Sequence, residues 1–508
     1  MQHPRSPAET TAPPTSGAPE WLRPLRGGFA RSVLTLASGT AVAQLLLVLA
    51  VPVLTRLYTP ADYGVLAVYS STLAVLVVLA SLRYEAAIPL PDDERTAGSL
   101  LVLTLGILAA MAALVSMLVW LLGDAFVTAV NVPALRPYLW LIPAGFVGAG
   151  AYQMLSYWAI RHREFRRVAR TRLSQGGGQV VVQIALGIGG AGALGLIVGD
   201  LVGRVAGAGG LALAALRRRP VEGVTPASIR AVATRYRRFP LLTTWSGLFN
   251  IGSLQLASIV FSAAFGAAAA GLYAISFKVL VLPTMLVAQA VGQVFLSRAA
   301  RLTAEPAHLR RLTERTALGL FAAGLPAFLT VALAGPQLFA VVLGREWEES
   351  GRYAQVLAPW FALWLVSNPL SGLLSVREWQ GSALAFSAFE LVLRLGALLV
   401  GAARGSPMLA VALLSAGGVI IATVSIVRFL LAGHSSAGRL LGPAVRVAVL
   451  AIACLLPAAL ILRAGHGRTA LAVGALAIVA YYALVARSAL APGFLHLGAD
   501  SSVAESAP

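Results

Sequence analysis

Long apolar runs, nearly free of charge, recur from one end of this 508-residue chain to the other. The clearest pair lies between Ala50 and Pro91, AVPVLTRLYTPADYGVLAVYSSTLAVLVVLASLRYEAAIPLP. This stretch holds the end of one run, a charged break over Arg56 to Asp62, a second run, and a second break at Arg83, Tyr84 and Glu85. Two runs this long and this closely spaced predict a transmembrane hairpin. Only 12% of the residues are charged and 58% are hydrophobic, whereas a soluble domain carries about 25% charged residues. A surface of this composition needs lipid as its solvent. Irregular backbone cannot face lipid, and the alternating pattern of barrel strands is absent. The expected fold class is therefore an all-α polytopic membrane protein.

Runs of about 20 apolar residues give about fourteen expected transmembrane helices. They cover 34–56, 63–83, 99–122, 136–160, 174–191, 193–214, 240–264, 270–296, 316–343, 352–375, 379–402, 407–431, 443–463 and 468–487. The fifth and sixth meet at a glycine-rich break. Net charge is +19, from 39 Lys+Arg against 20 Asp+Glu. The arginines sit in short clusters between runs and not on one basic domain, so the positive-inside rule explains them better than nucleic-acid binding does. Arg161, Arg163, Arg166, Arg167, Arg170 and Arg172 follow span four; Arg217, Arg218, Arg219, Arg230, Arg235, Arg237 and Arg238 follow span six; Arg298, Arg301, Arg310, Arg311 and Arg315 follow span eight. The breaks after spans five and seven, GIGGAGA and FGAAAAG, carry no charge. This alternation predicts cytoplasmic termini. The Pro-, Ala- and Thr-rich start predicts a disordered tail and no cleavable signal peptide.

Several chemistries are excluded as expectations. The single cysteine, Cys454, lies in an apolar run and leaves no disulfide framework. The six histidines fall in tails or loops without metal-ligand spacing. Gly187, Gly189 and Gly192 match G-x-G-x-x-G, but no βαβ unit surrounds them, and there is no Walker A loop. Asp92, Asp93 and Glu94 form an acidic turn too short for a metal site. Neither a cofactor, a metal nor a catalytic residue is expected.

LTRLYTPADYG followed by SLRYEAAIPLP resembles the opening of the bacterial O-antigen-type lipid-linked oligosaccharide flippases of the MOP exporter superfamily. RRFPLLTTWSGLFN resembles the start of that family's second bundle. GPQLFAVVLGREWEESGRYAQVLAPW, with its charged GREWEESGRYA turn, is the most specific piece. The resemblance covers most of residues 30–430. It implies two six-helix bundles around a central lumen plus two C-terminal helices. The expected domains are a disordered cytoplasmic tail over 1–30, an N-terminal bundle over 31–216, a basic linker over 217–239, a C-terminal bundle over 240–432, two added spans over 433–488 and a tail over 489–508. It also implies a flippase in the bacterial inner membrane, not an enzyme. Such a protein moves polyprenyl-diphosphate-linked oligosaccharide to the outer leaflet by alternating access, for O-antigen and lipopolysaccharide, capsule or exopolysaccharide biosynthesis. Partners would be the lipid-linked substrate, membrane lipids, and a polysaccharide polymerase and glycosyltransferases. The alternative is a drug or metabolite antiporter of the same superfamily. One departure is Gln255 in span seven, SLQLASIV, where many relatives carry an acid. No carboxylate coupling is expected at that position.

Lys278 lies inside span eight with no acid within one turn. A Lys facing lipid near the bilayer centre costs about 2.5–3.5 kcal/mol, so it should face a wet cavity. In a flippase lumen it would bind phosphate; the alternatives are bonding to buried carbonyls or snorkelling outward. Gln289 and Gln293 fall near the same helical face. Asp200 with Arg204, and Glu390 with Arg394, are i,i+4 pairs inside spans; the acids are ion-coupling candidates, and Arg394 is a lumen candidate. Arg56 and Arg83 sit at span ends, where they either touch substrate or snorkel. Gly195, Gly199, Gly203 and Gly207 form a small-residue ridge for helix packing. Finally, YGVLAVYSS resembles AGLYAISFK, with Gly64 matching Gly271, which suggests two homologous halves.

Overall fold

The computed structural model describes residues 28–218, 221–303, 305–373 and 380–487. The expected tails, apart from residues 28–30, and Arg219 of the basic linker lie outside the described residues. Fifteen α-helices and no strand occur among the described residues. In chain order they are α1 Gly28–Leu57, α2 Pro60–Val77, α3 Glu94–Ala129, α4 Leu141–Arg161, α5 Phe165–Ile188, α6 Ala193–Val205, α7 Ala208–Arg217, α8 Pro226–Arg235, α9 Thr244–Arg301, α10 Pro306–Val342, α11 Glu348–Leu370, α12 Gln380–Ala403, α13 Pro407–Ala432, α14 Ala437–Arg463 and α15 Gly467–Arg487. Nine stretches among the described residues are long and apolar enough to cross a membrane. One of them, 239–301, holds two of the expected spans. The protein is an all-α, multi-pass membrane protein.

Local sequence sets several helix boundaries. Thr59 and Asp62 close a capping box ahead of α2, with Pro60 in its first turn. Asp93 caps α3 by accepting from the Thr96 N–H at 2.7 Å. That bond holds the Asp93 carboxyl below its usual range. The acidic turn is thus a helix start. Expected span six is divided at Gly207, whose φ of 88° ends α6 and opens α7. Within α9 the helical geometry breaks at Gly266, at φ 83°, where the chain reverses. Arg161 to Arg172 were expected as a loop. From Phe165 on they are instead the first turns of α5, since long arginine stems let a helix run on past the apolar zone.

The connections sort to two ends of the molecule. Arg161 donates to Pro91 O and Asp93 O, Arg218 meets Glu164 at 3.0 Å, and Ser435 donates to Glu314 at 2.5 Å, which joins the arginine-rich connections at one end. At the opposite end Asn131 lies beside Gly266, and Thr55 donates to Leu343 O at 3.0 Å. Trp120 and Trp140 stand exposed near the Asp124–Arg136 pair, as interfacial aromatics do.

Helices α1 to α7 pack largely on one another, and the glycine ridge shows how. A side chain at Gly195 would strike Tyr58, one at Gly199 would strike Gln183, and one at Gly207 would come within 2.5 Å of Thr171. Gly199, Gly203 (against Gln179) and Gly207 thus seat α6 and the start of α7 on α5, while Gly195 meets Tyr58 ahead of α2. Tyr58 donates to Gln183 O at 2.5 Å, and burial pushes its phenol up to about 12, so it remains a neutral donor. The second half packs α9, α10, α11, α12 and α13 together. Helices α14 and α15 pair and lie on α10, where Tyr481 and Tyr482 donate to Ala322 O and Ala323 O at 3.0 and 2.6 Å.

The two halves meet where α2 crosses α9. A Cβ on Gly64 would overlap the carbonyl of Ala267, and one on Gly271 would overlap the carbonyl of Pro60. The contact is reciprocal, and the same offset separates Pro60 from Ala267 as Gly64 from Gly271. A twofold relation between halves requires this. The repeated glycines are therefore the two sides of one backbone crossing.

Candidate functional site

Below that crossing, toward the arginine-rich end, the seam turns polar. Ser71 and Lys278 each stand seven residues after a crossing glycine, about 10 Å along the axis and on nearly the same helical face. Ser71 donates to Gln255 Oε1 at 2.9 Å. Gln255 thus joins α2 and α9 by a neutral hydrogen bond. Lys278 is partly buried and has no hydrogen bond or ion pair among the described residues. The carboxylate whose charge reaches it is Asp200 of α6.

Asp200 is itself held by Arg204, with Nε–Oδ2 at 2.6 Å and Nη2–Oδ1 at 3.4 Å. This two-pronged pair fixes both side chains on the inner face of α6. Tyr69 stands nearby and donates to Leu141 O at 3.2 Å. In the second i,i+4 pair the arginine is the enclosed partner. Arg394 is 7% exposed, bonds Glu390, reaches Ser253 O at 3.4 Å and lies 5.1 Å from the Trp360 ring centre. It ties α12 to α9 and α11. Gln289 and Gln293 are both exposed, and neither has a hydrogen bond among the described residues.

The remaining two candidates separate. Arg56 is exposed at the end of α1 and bonds Pro52 O at 2.9 Å, as a helix-end arginine does. Arg83 sits at the opposite, arginine-rich end, beside a group that sequence reasoning missed. Glu85 is 1% exposed, accepts from Ser81 and from Gln153 Nε2 at 2.7 Å, and lies 3.7 Å from Arg83. In sequence it reads as one more charge in a span-end break. Only the fold buries it against α4.

The GREWEESGRYA turn acts at the other end. Trp347 is fully buried, and its Nε1 donates to Thr55 O at 2.9 Å while its ring meets Tyr63 edge-on at 5.2 Å. The turn between α10 and α11 is thus bolted to the α1–α2 corner. Together with the glycine crossing it closes the seam at the end away from the arginines.

The profile of the family described as "Polysaccharide biosynthesis protein" matches residues 53–352, more than half of the chain. Among solved structures, the lipid II flippase MurJ in an inward closed conformation superposes with a TM-score of 0.67, at 10% identity, over 89% of this chain and 99% of that one. An inward-facing multidrug resistance MATE family transporter of the MOP superfamily superposes with a TM-score of 0.56, at 15% identity, over 79% of this chain and 94% of that one. At these identities the likeness is one of fold. Among curated proteins, none matches the chain. With the family profile covering the α2–α9 seam and the fold shared with flippases and transporters, the chain belongs to the polysaccharide biosynthesis protein family, on the fold of the MOP superfamily.

Proposed function

We propose that this protein is a flippase that carries a polyprenyl-diphosphate-linked oligosaccharide from the inner to the outer leaflet of a bacterial inner membrane. Its two halves, 31–216 and 240–432, act as bundles that alternate in access about the α2–α9 seam. Both termini and the arginine-rich end face the cytoplasm. The observation that carries this reading is Lys278. It is an ammonium on the seam between halves, with no partner of its own among the described residues. Such a charge in a membrane interior is costly unless a ligand or water meets it. A diphosphate meets it well, because Lys binds phosphate as a point charge.

Gln289 and Gln293 extend a polar stripe along α9 toward the cytoplasmic side, while the charge of Arg394 is held by Glu390 and Arg56 stands apart at the end of α1. Asp200 and Glu390 are the candidates for ion coupling. The unpaired Lys278 suits an anionic headgroup better than the cationic substrates of a drug antiporter. The substrate's glycan would be assembled by glycosyltransferases and extended by a polymerase.

The test is a flipping assay in proteoliposomes with a defined diphosphate-linked glycan. Lys278→Ala is expected to lose about 10-fold or more of the rate, the worth of one charge-assisted contact, at wild-type abundance. Lys278→Arg keeps part of the activity, since charge persists in another shape. Full activity in Lys278→Ala would overturn the role. Activity lost only in step with protein abundance would make Lys278 structural.

A further inference from the structure

We infer that Arg83 is a second phosphate anchor, placed at the arginine-rich mouth of the seam and separate from Lys278. The inference rests on the lipid-linked diphosphate reading above. It starts from the backbone. Leu82 and Arg83 both adopt left-handed conformations, at φ 50° and 65°. Non-glycine residues avoid this region, and strain of this kind persists where the surroundings hold it. Here it turns the chain sharply after α2 and aims Arg83 across the seam, toward Gly247 of α9.

The guanidinium is under-used where it lands. It forms no hydrogen bond among the described residues, and its Nε is buried without an acceptor. Glu85 lies 3.7 Å away, beyond hydrogen-bond length. That carboxylate gives its oxygens to Ser81 and Gln153 instead. Glu85 therefore balances the charge of Arg83 and leaves its terminal Nη donors free. The same carboxylate is 1% exposed, whereas the Arg83 side chain is 28% exposed and can be reached.

On its other side the guanidinium lies against α9. A Cβ at Gly247 would stand 3.0 Å from Nη2 and 3.1 Å from Nε of Arg83. Glycine lets α9 lie against the guanidinium without pushing it aside. The two terminal Nη groups, neither hydrogen-bonded among the described residues, can meet two phosphate oxygens at once. The chemistry is that of a phosphate ester or diphosphate at the membrane surface, and Glu85 is a positioning residue. A diphosphate headgroup arriving from the arginine-rich side meets Arg83 first and Lys278 deeper in the seam.

The test uses the full chain in nanodiscs of zwitterionic lipid and farnesyl diphosphate as probe, with binding measured directly. Arg83→Gln is expected to weaken binding about 10-fold or more, and Arg83→Lys less. Gly247→Ala, which removes no charge, should weaken it too by displacing the guanidinium. Its thermal midpoint reports folding independently. Equal affinity in wild type, Arg83→Gln and Gly247→Ala overturns the anchor, and so does unchanged affinity in Gly247→Ala should Arg83→Gln fail to fold. Discs containing phosphatidylglycerol separate the two phosphate sources. Loss of probe binding to that lipid in wild type but not in Arg83→Gln would assign the site to bilayer headgroups and overturn the substrate role. If wild type binds no farnesyl diphosphate at all, the flippase reading itself falls. If Lys278→Ala weakens binding while Arg83→Gln does not, only the second anchor falls.

Discussion

Two ion pairs with the same spacing have different surroundings, and this governs what each acid can do. Glu390 holds Arg394, which is packed under Trp360 and against Ser253 O. Removing a partner from an enclosed pair costs about 3–5 kcal/mol, because a charge is left buried alone. Glu390→Gln should therefore lower abundance and the thermal midpoint before it changes coupling. Asp200 is paired with Arg204 on its own helix, and its charge reaches Lys278 of α9. It is the acid whose protonation or cation binding would alter the charge that a headgroup meets. Asp200→Asn is expected to remove the dependence of flipping on an imposed proton or sodium gradient. Gradient-dependent flipping that survives neutralisation of each acid in turn would reject both as coupling groups. The spacing of both pairs was legible in sequence. The neighbour that distinguishes them was not, since Lys278 follows Asp200 by seventy-eight residues.

At the scale of the helix, the α2–α9 crossing is the most demanding contact. Two backbones touch at Gly64 and Gly271, and each glycine has the other half's carbonyl where its side chain would be. Overpacking a tight contact costs about 1–3 kcal/mol, and here the obstruction is backbone that cannot rotate away. Gly271→Val should sharply reduce the yield of folded protein, and Gly271→Ala should lower the thermal midpoint in detergent. Gly106 of α3 has open space around it, so Gly106→Ala should leave the midpoint unchanged or raise it, since Ala favours helix by about 1 kcal/mol. Equal tolerance at both positions would show that the crossing is looser than this geometry. The match between YGVLAVYSS and AGLYAISFK picked out the right pair of glycines. It could not show that they touch each other, because a repeat reveals equivalence and not contact. Helix limits were less legible. Apolarity ends where lipid ends, but α5 and α9 run on into water on arginine stems.

For the whole molecule, arginine-rich connections gather at one end, while Trp347, Thr55 and the glycine crossing close the seam at the other. If the arginine-rich end is cytoplasmic, reporter fusions after Arg172 and Arg238 should read cytoplasmic. Fusions at Gly190 and Ala268 should read periplasmic. A periplasmic reading after Arg238 would invert the proposed direction of transport. The charged turn that marks the resemblance to oligosaccharide flippases has a mechanical place here. It carries Trp347 into the α1–α2 corner, where the indole donates to Thr55 O.

The chain alone determined its solvent, the rough placing of its spans, the segregation of its charged connections and its family. Each of these follows from local quantities, run length and charge, set against a bilayer that treats every segment alike. What only the tertiary structure decided is which polar groups find partners. Glu85 is buried because α4 covers it, and Arg83 is left without an acceptor because Ser81 and Gln153 reach Glu85 first. Trp347 finds its carbonyl on a helix 292 residues earlier in the chain. Partners so far apart are set by how helices cross, and crossings depend on the fit of whole faces, which no single stretch of sequence contains.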